Sequence, residues 1–122
     1  MTATHAQRKA LGDFGERLAE RHLVEAGLVV LDRNWRCAAG EIDIVARDGD
    51  VLVVCEVKTR SSDRFGTPLE AITALKGARL HRLAWAWVFA HGLRCRAVRV
   101  DVICVLQRRS EAARVEHVRG VA

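Results

Sequence analysis

Four charged residues of this 122-residue chain fall at spacings that would gather them on one side of a β-hairpin. They are Glu41 and Asp43 in Gly40-Glu41-Ile42-Asp43-Ile44-Val45-Ala46, and Glu56 and Lys58 at the end of Val51-Leu52-Val53-Val54-Cys55-Glu56-Val57-Lys58. Carboxylates brought face to face repel one another and lose solvation when covered. A divalent cation such as Mg²⁺ relieves both, because it takes oxygen ligands, typically one or two carboxylates completed by waters and phosphate oxygens. Such a centre can lower the pKa of an attacking water and polarise a phosphoryl oxygen. Lys58 would orient that water or offset charge on the phosphate. The alternative for the same four residues is an exposed polar face with a cross-strand ion pair, which is common and contributes little.

The hairpin must position these groups. Asp48-Gly49 is a strong turn signal between two strand patterns, Glu41 to Ala46 and Val51 to Lys58. A two-residue turn there pairs Arg47 with Asp50, and counting outward sets Asp43 opposite Val54 and Glu41 opposite Glu56. Side chains alternate along a strand, so Glu41, Asp43, Glu56 and Lys58 share one face. The other face reads Ile42, Ile44, Ala46, Val51, Val53, Cys55 and Val57. Val45, Leu52 and Val54 make the acidic face partly apolar too, so the sheet should be covered on both sides. Only three of the 20 basic residues are lysines, Lys9, Lys58 and Lys76, so a cation placed at random here would be arginine. Lysine is a compact charge whose proton affinity responds to burial, which suits proton handling better than guanidinium does.

The remaining elements follow from periodicity. A lead-in over residues 1–7 is expected to be flexible, followed by a helix from about Arg8 to Ala26 with Leu11, Phe14 and Leu18 inward and Ala19, Leu23 and Ala26 beside them. Gly27 stops it, and Leu28 to Asn34 is a short strand. A polar loop, Thr59 to Pro68, leads to the longest helix, Leu69 to His91, with Ile72, Leu75, Leu83, Trp87 and Ala90 as expected core contacts. Arg96 to Leu106 is a further strand, and Arg114 to Val118 an edge strand. The order α-β-β-β-α-β-(β) in one domain of residues 1–122 reads as an α/β fold, a mixed central sheet flanked by helices. The long helix between strands implies a crossover and a parallel pair.

Composition narrows the function classes. The longest apolar run, Leu83 to Ala90, is far too short to span a bilayer, and the N-terminus lacks the apolar segment of a signal peptide, so no membrane partner and a cytoplasmic location are expected. A net charge of +5 and a pI near 9.6 favour a polyanionic partner, nucleic acid first. Cys37, Cys55, Cys95 and Cys104 form no C-x-x-C pair, and the histidines show no H-E-x-x-H spacing.

Gly40 to Ala46 followed by Glu56-Val57-Lys58 resembles the PD-(D/E)xK nuclease superfamily, and more closely the uncharacterised bacterial YraN-like family related to archaeal Holliday junction resolvases. The resemblance extends through Gly15-Glu16, Arg33-Asn34-Trp35-Arg36, Arg60, Gly66, Lys76 and Val100-Asp101-Val102. It implies a restriction-endonuclease-like three-layer fold, with Asp43 and Glu56 as metal ligands and Lys58 as the catalytic lysine. In resolvase-like relatives a first-helix glutamate can complete the site, which maps to Glu16. It implies an endonuclease dependent on Mg²⁺, with Mn²⁺ as a substitute, that hydrolyses phosphodiester bonds of DNA in preference to RNA, including branched or structured DNA. A homodimer would follow from the need to cut two strands. The competing expectations are a non-catalytic nucleic-acid-binding module of the same fold and a protein-interaction subunit.

Other residues carry two readings each. Glu16 lies on the column of Ala19 and Leu23 and so points inward, or it closes a capping box with Asp13. Glu41 is a further metal ligand or a solvated strand end. Lys76, Arg79 and Arg82 sit three apart and grip phosphates or form a solvated helix face. Arg60 contacts the substrate backbone or is an ordinary surface arginine. Asp101, within an apolar strand, neighbours the site or pairs with an arginine, the structural role being favoured. Trp85 and Trp87 point in different directions, Trp87 toward the core.

Overall fold

The computed structural model describes residues 4–62 and 72–122. Helix α1 spans His5–Glu25, strands β1 Val29–Cys37, β2 Gly40–Asp48 and β3 Val51–Arg60, helix α2 Ala74–His91, and strands β4 Ala97–Leu106 and β5 Arg114–Val118. The sheet order follows the chain, β1-β2-β3-β4-β5, with every neighbour antiparallel except β3 and β4, which run parallel across the α2 crossover. Ala19 and Leu23 of α1 pack with Ile44, Ala46, Val53, Cys55, Ile103 and Val105 on one face. Leu80, Leu83, Ala84, Trp87 and Val88 of α2 pack with Val45, Leu52, Val54 and Val100 on the other. The result is the expected three layers, helix, mixed sheet, helix.

Helix limits differ from the sequence expectation. Helix α1 begins at His5, inside the expected lead-in, because Thr4 and Gln7 form a reciprocal capping box. The box therefore sits about two and a half turns before the one considered for Asp13 and Glu16. Thr73 caps α2 by accepting from the Lys76 backbone N–H, so this helix starts later than Leu69; residues 69–71 lie outside the described residues. Leu80, Leu83, Trp87 and Val88 face the sheet, whereas Leu75 is 72% exposed and Ala90 is exposed, against the expectation that both would be core.

The hairpin turn sits one residue later than expected, so every partner is displaced by two residues. Asp48 pairs with Val51, Val45 with Val54 and Ile44 with Cys55, so the pairings of Asp43 with Val54 and Glu41 with Glu56 do not occur. Gly49 takes φ 61° while Asp50 does not enter the left-handed region, so glycine occupies the first central turn position, the II′ preference, rather than the second. The recorded ladder ends at Ile44 and Cys55, and one further step sets Asp43 level with Glu56. Alternation also breaks at Asp43: Ile44 faces α1, but Ile42 joins the α2-side core with Val45. On the other flank, Asn34 adopts φ 50° between the pairs Arg33–Ile44 and Trp35–Ile42. The sheet is thus kinked around Asp43, a device that re-aims a side chain and ends pairing.

Candidate functional site

Asp43 stands where three depressions meet. A cleft of about 530 Å³ on the α2 side is lined by Arg36, Glu41, Glu56, Lys76 and Arg79 together with Asp43. A smaller one, about 230 Å³, brings Glu16, Arg17 and Arg33 to it, and a third, about 500 Å³, brings Arg8, Lys58 and Arg60. Because the β2–β3 ladder has ended, Asp43 Oδ2 accepts the Val57 N–H at 2.8 Å in place of a strand carbonyl. Burial pushes the Asp43 carboxyl up to about 6; the Val57 N–H opposes this, and the carboxylates of Glu56, Glu16 and Glu41 add to it.

Glu56 Oε1 receives two ammonium groups, Lys76 Nζ at 2.6 Å from α2 and Lys58 Nζ at 3.1 Å from its own strand. Two of the chain's three lysines therefore converge on one oxygen. Burial lowers the proton affinity of Lys76, but its bond to Glu56 and the charge of Glu56 outweigh that, for a net rise. Lys76 was expected among phosphate contacts; its closest partner is instead a proposed metal ligand.

Glu16 is held near Asp43 by a close helix–strand approach. A Cβ on Gly15 would lie 1.8 Å from Thr59 Oγ1, so only glycine lets α1 sit this near β3. Burial raises the Glu16 carboxyl, partly opposed by Asn34, whose amide lies 3.5 Å from Oε2. Gly15→Ala is expected to destabilise the protein by about 1–3 kcal/mol through overpacking, partly relieved by adding Thr59→Ala. Urea unfolding of the single and double variants measures both, and an unchanged midpoint in Gly15→Ala would show that the contact relaxes at no cost.

The other expected site residues are dispersed. Glu41 is exposed and pairs with Arg36 at 3.1 Å on the rim of the α2-side cleft. Arg79 lies on that cleft's wall, Arg60 lines the α1-side one, and Arg82 is exposed on α2. Among the described residues, no three carboxylate, histidine or cysteine side chains stand close enough together to hold a metal ion as placed. The donor set nevertheless suits Mg²⁺ or Mn²⁺. It is all oxygen, one step beyond the ladder sets Asp43 level with Glu56, and the Asp43 carboxyl, raised first by burial and further by Glu56, Glu16 and Glu41, would carry a charge that a divalent cation offsets.

A second polar cluster had no sequence signal beyond Asp101 itself. The fully buried Asp101 accepts Arg99 Nε at 2.9 Å and Nη2 at 3.1 Å, His117 Nε2 at 2.7 Å and the Gly120 N–H at 3.0 Å, and His117 Nδ1 lies 3.2 Å from His22 Nε2 of α1. Burial would raise the Asp101 carboxyl, but these donors together hold it below the usual range. Asp101 lines none of the three depressions around Asp43, in keeping with the structural role expected. Trp87 is buried and donates its indole N–H to Asp32 at 2.9 Å, while Trp85 is exposed. No described helix is long and apolar enough to cross a membrane.

Among solved structures, the chain is similar to Hjc, a Holliday junction resolvase from the archaeal hyperthermophile Archaeoglobus fulgidus, with a TM-score of 0.45 and 20% identity over 86% of this chain and 75% of that one. It is 58% identical over 120 residues to a UPF0102 protein of Nocardioides sp. (strain ATCC BAA-499 / JS614), covering 98% of this chain and 97% of the relative. A UPF0102 protein of Beutenbergia cavernae is 58% identical over 114 residues, covering 93% and 97%. Residues 15–105 match the model of the uncharacterised protein family UPF0102, and this chain belongs to that family.

Proposed function

We propose that the protein is a metal-dependent nuclease of restriction-endonuclease-like fold that hydrolyses phosphodiester bonds of DNA, with branched or structured DNA as the favoured substrate. The observation that carries the reading is the meeting of Asp43, Glu56 and Lys58 at a kinked strand end, in the order of the PD-(D/E)xK motif, where three depressions join, two of them carrying three basic side chains each. Asp43 and Glu56 would hold Mg²⁺ or Mn²⁺, with Glu16 and Glu41 supplying further negative charge. When bound, the cation polarises the phosphoryl oxygen and lowers the pKa of the attacking water. Lys58, aligned by Glu56, offsets charge on the phosphate as it is attacked. Arg36 and Arg79 on one side of Asp43, and Arg60 on the other, position the backbone without reading sequence.

The test is incubation of the full chain with labelled duplex, junction and single-stranded DNA, and RNA, in Mg²⁺ or Mn²⁺. Cleavage is expected with metal and not with chelator, and unchanged cleavage after Glu56→Gln would remove the site from the reaction. With the metal below saturation, activity should also fall as pH drops through about 6, because the metal-free Asp43 takes up a proton there and the proton then competes with the cation. A flat profile between pH 5 and pH 8 would contradict that assignment. Salt-dependent binding without turnover would favour the non-catalytic nucleic-acid-binding module.

A further inference from the structure

Glu56 is pinned by a cation that does not belong to its own strand. Lys76 reaches it from the first turn of α2 and makes the shorter of the two ammonium contacts, 2.6 Å against 3.1 Å for Lys58, both on Oε1. Lys58 is fixed on β3 in the ladder with β4, opposite Cys104, and its side chain lines the α1-side depression. Lys76 lies in the other cleft, beside Arg79 and near Arg36, where its side chain is about one-third exposed. A divalent cation drawn to Asp43 and Glu56 would meet two positive charges already on the oxygen it needs. Like charges so close repel strongly in a partly buried site. Lys58 borders the α1-side depression and does not line the cleft that holds Glu56 and Arg79. Lys76 has a flexible stem anchored on a helix above an open, arginine-lined cleft.

Resting on the proposed metal site, we infer that Lys76 is an exchangeable counter-ion: it holds Glu56 while the divalent cation is absent and moves to a substrate phosphate when the cation binds. Metal loading and phosphate grip are then one event. The residue stabilises the empty site against its own carboxylates, competes with the metal, and becomes a phosphate contact only in the loaded protein. It is a positioning residue in the empty state and a binding residue in the loaded one.

Two readouts test this on the full chain. Mn²⁺ binding is measured by calorimetry without DNA for the parent, Lys76→Met and Lys76→Arg. Lys76→Met is expected to bind Mn²⁺ about tenfold more tightly than the parent, the scale on which neighbours of ligands tune affinity, and Lys76→Arg to stay near the parent. DNA binding is then followed against salt with Ca²⁺, a cation of the same oxygen-ligand preference, and without it. Lys76→Met should lower the slope of log affinity against log salt by about 0.9, one phosphate contact, only when the cation is present. A merely structural lysine would, on removal, loosen Glu56 and weaken Mn²⁺ binding. If the parent binds Mn²⁺ and Lys76→Met binds it equally or less tightly, the exchange is overturned and the metal site stands. If neither binds Mn²⁺, the metal site itself is overturned, and the exchange with it.

Discussion

Asp43→Asn is expected to abolish metal-supported cleavage, by about 10³-fold or more on the scale of losing a preorganised charge at a reacting centre, while making the protein more stable at neutral pH. The two effects have one cause. The folded carboxyl titrates at about 6 because burial and the neighbouring Glu56, Glu16 and Glu41 oppose its charge. Its unfolded value is the ordinary one near 3.8. With the folded pKa raised, the folded state binds the proton more tightly. Its favourable contribution is complete below about pH 4 and is lost as pH rises through about 6. Above that, the charged carboxylate is a standing cost on the order of 2 kcal/mol, taking about 1.4 kcal/mol per pKa unit and allowing for partial exposure. Asparagine keeps an oxygen to accept the Val57 N–H and carries no charge, so it removes the cost. Urea unfolding of both proteins in chelator at pH 4.5 and pH 7.5 checks this. The gain of Asp43→Asn should be large at the higher pH and small at the lower. Equal gains at both would show that the carboxylate is not what destabilises the site.

Asp101→Ala should cost about 3 kcal/mol of stability and shows the opposite dependence on pH. Removing this carboxylate leaves His117 and the Gly120 N–H without their acceptor and leaves Arg99 with Asp48 alone among its carboxylate partners. Because Asp101's folded pKa is lowered, its contribution is present above the ordinary carboxylate value and is lost as pH falls below about 4. The difference between parent and Asp101→Ala should therefore shrink in acid, where that for Asp43→Asn also shrinks but with reversed sign. A thermal midpoint unchanged by Asp101→Ala at pH 7.5 would refute the structural reading of this cluster. Two aspartates on neighbouring stretches of one sheet thus have contrary physics. Asp101 is surrounded by donors that secure its charge, whereas Asp43 is buried with the single Val57 N–H as donor and with carboxylates nearby that oppose its charge.

Period-two alternation was enough to place Asp43, Glu56 and Lys58 on a shared strand end, and the element order was readable throughout. The register was not, because Asp48-Gly49-Asp50 permits glycine at either central turn position, and the choice shifts every partner by two residues. Nor was the break in alternation between Ile42 and Ile44, which depends on Asn34 in the facing strand and on the Val57 N–H. On α2, Leu83 and Trp87 are buried as their spacing indicates, whereas Leu75, in the first turn, is exposed and Leu80 takes a core place that the sequence reading did not give it. Lysine scarcity singled out Lys58, and applied equally it points to Lys76, but no spacing rule connects a strand residue to a helix across an intervening loop. The Asp101–His117–His22 chain joins three elements and has no local signature at all.

In the proposed reading, Asp43 and Glu56 form a cation site in which lysine ammonium groups now offset the charge of Glu56. Crystals of the full chain soaked in MnCl₂ and measured at the manganese edge test it most directly. The predicted result is one anomalous peak between the two carboxylates, about 2.0–2.3 Å from an oxygen of each, with Lys76 withdrawn from Glu56. No peak at that place, with Lys58 and Lys76 still on Glu56, would contradict it.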